Sequence, residues 1–127
     1  MNRLLLVLVL GLVLVLPAAA ADLPADILLA KYLRGATTAT AEKNDAKTLE
    51  YLNLIMDLES NYPGKVKMPN ELYFTRGQIL FNQGKFLDAK ESIDTYLLSR
   101  DTKFFSQAID LSNQIDDKLK EPAKGKS

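Results

Sequence analysis

Apolar and polar positions divide the chain into one long apolar block and a series of helically spaced segments. Leu4 to Leu16 is apolar throughout apart from Gly11. Met1-Asn2-Arg3 precedes it, Pro17 ends it, and four alanines (Ala18 to Ala21) follow. A positive start, an apolar run and then small residues make a secretory signal-peptide pattern. A helix that crosses a bilayer needs about 17 to 25 apolar residues, and the run over positions 4 to 16 is thirteen residues long with Gly11 included. The pattern predicts an export signal over residues 1–21, cut after Ala21 or Ala20. An uncleaved anchor that recruits the alanines is the rival reading.

Beyond Asp22 no stretch sustains a period of two. Apolar residues recur at three and four instead, and a few breakers cut the pattern. The spacing predicts a first helix over 25–43, a turn at Asn44-Asp45 and a second helix over 46–61. In the second, Leu49, Leu52 and Met56 face inward, with Tyr51, Ile55 and Leu58 beside them. Tyr62-Pro63-Gly64 stops that helix, and 65–69 reads as a polar, basic loop. Asn70 suits the cap of a third helix reaching Gln83, with Glu71 in its first turn. Gly84 suits the left-handed position just past a helix end. A fourth helix is expected over 85–99. Asp101 or Thr102 would cap a fifth, with Phe104, Ala108, Leu111, Ile115 and Leu119 inward and Gln107, Asp110, Asn113 and Asp117 toward solvent. Residues 121–127 read as a loose tail. The expected fold is all-α, one domain over 22–120 with five antiparallel helices.

Composition narrows the chemistry. The chain has no Cys and no His, and its 16 basic residues balance 16 acidic ones. No thiolate, disulfide, lipid-modified cysteine or ordinary zinc site is available, nor a side chain titrating near neutrality unperturbed. A balanced charge gives no field to gather nucleic acid or an anionic membrane. The close acidic pairs, Asp116-Asp117 and Glu42 with Asp45, read as solvated helix and turn positions rather than carboxylates converging across a cleft. The serines lack a histidine, and the scattered glycines form no phosphate loop. An enzyme is not expected, nor a metal or other cofactor.

Residues 70–98 read NELYFTRGQILFNQGKFLDAKESIDTYLL. Two antiparallel helices joined by a tight turn need small residues where their backbones meet. Gly77 and Ala89 can serve there, with Tyr73, Leu80, Phe86 and Ile93 filling the space around them. With Gly84 in the turn, this segment resembles the tetratricopeptide repeat, a helix-turn-helix unit of 34 residues. Two positions depart from that pattern. Tyr96 stands where a small residue is usual, and Asp101 where proline often closes the unit. The first implies looser packing onto the next helix, or a larger space that the ring fills. Upstream, a weaker unit would start at Ala30, 40 residues before Asn70, with Thr37 in place of the small glycine. Downstream, Phe104 would open a terminal capping helix. Segments of larger exported bacterial repeat proteins are similar at the Tyr62-Pro63-Gly64 ending and the start running from Pro69 to Phe74. The resemblance implies a short α-solenoid of about two and a half units.

It also implies a concave groove that grips a partner protein or peptide. Carried over by position, the groove residues would be Glu71, Phe74, Gln78, Phe81 and Asn82, with Lys31, Arg34 and Thr38 from the first unit. Phe74 and Phe81 share one helix face and fit either a groove or the core. Lys31 and Arg34 could receive a carboxylate or belong to a solvated face. The expectation is an exported, non-catalytic scaffold or adaptor, periplasmic or secreted. A structural subunit of an envelope complex and a secreted effector or inhibitor are the alternatives.

Overall fold

The computed structural model describes residues 23–121. The expected export signal and positions 122–127 of the expected tail lie outside these residues. The described chain is all-α, a stack of five helices: α1 Ala25–Ala41, α2 Asp45–Asn61, α3 Asn70–Asn82, α4 Phe86–Leu98 and α5 Phe105–Lys120. None is long and apolar enough to cross a membrane. α1 and α2 form one antiparallel hairpin, α3 and α4 a second, and α5 lies along α4 with an edge against α3. Among the helices, α1 approaches only α2, so the first hairpin joins the rest through α2 and α3.

Helix ends follow local chemistry. Asn44 caps α2 by accepting a hydrogen bond from the Lys47 N–H (3.0 Å). Asn70 is not a cap. Pro69 precedes α3 in extended backbone, and Asn70 is its first helical residue. α1 and α3 end alike, each in a left-handed residue, Lys43 (φ 57°) and Gly84 (φ 77°). At these ends the N–H groups of Asn44 and Lys85 reach back to the carbonyls of Ala39 and Leu80 (both 2.9 Å), closing orphan acceptors. Arg100 (φ 63°) occupies the same position after α4.

The two hairpins correspond at a spacing of 41, not 40. Left-handed residues 43 and 84, caps 44 and 85, and helix starts 45 and 86 all agree on it. At this spacing Ala36 matches Gly77, Thr48 matches Ala89, Leu52 matches Ile93 and Ile55 matches Tyr96, every one of them buried. The small residue of α1 is therefore Ala36 and not Thr37. A slip of one residue turns a helix face by about 100°, which moves the α1 positions discussed below.

The extra length between the hairpins is not a polar loop. Lys65 and Lys67 face solvent, but Val66 and Met68 between them are 3% and 0% exposed. This short strap is pinned by Glu59, whose carboxylate accepts from the Met68 N–H (3.1 Å) and from the Tyr73 hydroxyl (2.7 Å). Arg76 of α3 completes the seam, donating to Asn53 of α2 and to the buried Ser92 of α4.

Tyr96 does not loosen the packing. Its ring is fully buried and lies 5.7 Å from that of Phe74. Its hydroxyl donates to Asp101 and accepts from the Phe104 N–H, both at 2.7 Å. The two departures from the repeat pattern, Tyr96 and Asp101, are thus bonded to each other, and their bond fixes the turn into α5. That turn leaves Phe104 ahead of the helix with no side-chain cap. Leu119, expected inward, is 39% exposed, because the last turn of α5 runs past the end of the core.

Candidate functional site

The expected groove residues do not share one cleft: those of α3 and those of α1 line separate ones. The first, of about 340 Å³, runs between α3 and α5. Phe74, Gln78, Phe81 and Asn82 line it from α3, and Gln107, Asp110, Leu111 and Gln114 from α5. On the other flank of α3 lies a cleft of about 240 Å³, bounded by Thr40, Asp45, Thr48, Thr75 and Ile79. Gln78 and Asn82 line both, so they form a ridge with a trough on each side.

The apolar base of the larger cleft is tied into the core. Phe74 is 4% exposed, a core residue that shows the cleft little of its surface. It stacks on Phe104, with centroids 4.8 Å apart and planes 13° from parallel. Phe81 is half-buried and tilted against Phe86 at 5.4 Å. Above this floor stand four primary amides, Gln78, Asn82, Gln107 and Gln114. Each carries both a donor and an acceptor, the same pair that a peptide unit presents. Asp110 is the one ionisable side chain among the lining residues.

Glu71 is placed elsewhere. It accepts a 2.8 Å salt bridge from Lys103 in the turn before α5 and is absent from the cleft lining. That contact, through hydrogen bond and charge, raises the Lys103 ammonium above its ordinary value. The ammonium also lies 5.3 Å from the centre of the Phe104 ring.

Lys31, Arg34 and Thr38 do not join the α3–α5 cleft either. They line a third cleft of about 320 Å³ with Gly35, Ala39, Glu42, Lys47 and Tyr51. The one-residue difference in hairpin register explains this. At the observed spacing, the α1 positions matching the α3 groove face are Ala30, Leu33, Thr37, Thr40 and Ala41, and Thr40 does line the smaller trough. Of the α5 lining residues, Gln107 and Asp110 were expected on a solvent face and Leu111 inward, and Gln114 was given no role. Gln107, Asp110 and Gln114, spaced by three and four, share one helical stripe, a spacing common to a cleft wall and a solvent face.

The residues expected to pack the second hairpin meet as follows. A Cβ added to Gly77 would lie 2.6 Å from Ile93 Cγ1, so only glycine admits Ile93 there. Ala89, Ile93 and Leu80 are buried around that crossing, Tyr73 is 9% exposed, and Phe86 is half-buried. No protein-family model matches the chain, and neither does any curated protein or solved structure.

Proposed function

We propose that this protein is a non-catalytic protein-interaction scaffold that holds an extended segment of a partner between α3 and α5. The observation that carries the reading is the set of four amides above an aromatic floor. Such a lining can bond a peptide backbone while the half-buried ring of Phe81 receives an apolar side chain. The resemblance of residues 70–98 to a tetratricopeptide repeat points the same way. Residues 1–21 add export to the reading, with the partner in the periplasm or outside the cell. N-terminal sequencing of protein from the cell envelope tests that part, and a first residue of Asp22 or Ala21 is expected.

Site-specific photocrosslinking tests the scaffold. A benzoylphenylalanine at Gln78 or Gln114 should give one discrete adduct, and the same group at Asp57, exposed on α2, should give none. Equal labelling from all three positions would sink the reading. Phe81→Ala should weaken the adduct without unfolding the protein, whereas Phe74→Ala is a core truncation costing about 3–5 kcal/mol. A structural subunit is the second reading, favoured by Leu87 and Leu98, which are 73% and 81% exposed on α4. Stoichiometric co-purification through those leucines, unaffected by Phe81→Ala, would select it.

A further inference from the structure

The cleft at the α1–α2 end has a chemistry of its own, independent of the α3–α5 reading. Lys31, Arg34 and Lys47 stand around it, with one carboxylate, Glu42, on the rim. Among the described residues neither Lys31 nor Arg34 makes an ion pair, and Lys47 makes one exposed contact of 4.0 Å with Glu50. The floor is built rather than incidental. The Tyr51 ring lies flat against the backbone of Gly35, where any Cβ would collide with its ring carbons. Ala39, 2% exposed, sits beside it. The result is an aromatic, apolar base inside a cationic rim.

We propose that this cleft binds an acidic peptide segment in which carboxylates flank an apolar side chain. Cations without partners set the sign of the ligand, and the Tyr51 face calls for an apolar group between its charges. Glu42 on the rim disfavours a compact dianion such as phosphate. The concave shape and the balanced charge of the chain disfavour a flat anionic membrane.

The test is an NMR titration of the isotope-labelled protein with blocked Glu-Phe-Leu-Glu peptide. Its Gln-Phe-Leu-Gln analogue, inorganic phosphate and phosphatidylglycerol vesicles serve as further probes. The acidic peptide should shift Gly35 and Tyr51 signals saturably, with an affinity that falls as salt is raised. Lys31→Glu with Arg34→Glu should weaken it by about tenfold or more. Both side chains are exposed, and circular dichroism confirms that the variant folds. Equal binding of the Gln analogue would overturn the proposal. So would shifts at Gln78 and Asn82 instead, phosphate or vesicles competing at the same strength, or no saturable shift at all.

Discussion

Gly77 and Tyr96 solve opposite problems on either side of the same core. Gly77 removes a side chain so that Ile93 can enter, and Gly77→Ala forces a buried β-branched residue off its rotamer. The alanine gains helix propensity of about 1 kcal/mol, while overpacking costs about 1–3 kcal/mol. We therefore expect a net loss, seen as a lower denaturant midpoint with unchanged slope. Tyr96 adds a polar handle where the pattern favours a small residue. Tyr96→Phe keeps the ring but strands the Phe104 N–H and leaves Asp101 Oδ2 only its 3.3 Å bond from the Lys103 N–H, costing about 1–3 kcal/mol. Asp101→Asn should recover less than the wild-type stability, because the bond there is to a carboxylate. Tyr73 adds a pH signature. Burial first, and then its bond to Glu59 and the charge on that carboxylate, push its hydroxyl up to about 12 from 10.0. The unfolded chain loses that proton first, so this stabilisation is complete below pH 10 and drains away as pH rises toward 12. Alkaline unfolding of Tyr73→Phe should lack that component.

At the level of elements, helix ends carry the clearest gain still open to the protein. Lys43 and Arg100 hold the left-handed backbone that Gly84 holds without a Cβ penalty. Lys43→Gly should raise stability by about 0.5–1 kcal/mol, part of the strain being offset by the freer unfolded chain. Asn44→Ala next to it should cost about 1 kcal/mol. Thermal melts of the two variants check both signs. The sequence was most readable here. Helical spacing and breakers placed all five helices within a few residues, since Tyr62-Pro63-Gly64 and Gly84 allow few other backbones. It misled where two local patterns competed. Lys65-Val66-Lys67-Met68 is half lysine and reads as a loop, yet its alternation buries the two apolar residues. The α1 register slipped by one because Asn44-Asp45 looks like a turn, whereas Lys43 makes the turn and Asn44 the cap. That slip alone moved Lys31, Arg34 and Thr38 onto the expected groove. Phe74, Gln78, Phe81 and Asn82 could be placed on one side of α3 because the break at Gly84 fixes where that helix ends. The α5 half of the cleft was not legible, since amides and an aspartate on a terminal helix look the same whether they face water or a partner.

Across the whole molecule, the two hairpins meet at a narrow seam made of the strap, Glu59 and Arg76. Local stability should therefore be uneven. Glu59→Ala removes the acceptor for both the Met68 N–H and the Tyr73 hydroxyl. It should speed hydrogen exchange in α1 and α2 more than in α3, α4 and α5, which keep their mutual packing. Uniform acceleration through all five helices would show one cooperative unit instead. The strap has a further consequence for measurement. Lys65 and Lys67 are exposed, yet the backbone between them is anchored by Val66 and Met68. A trypsin active site needs several residues in extended, accessible form, so neither bond can be cut until the anchors leave. The rate of scission at these two lysines becomes an unlabelled clock for the opening of the seam, readable from a gel while the rest of the fold stays intact.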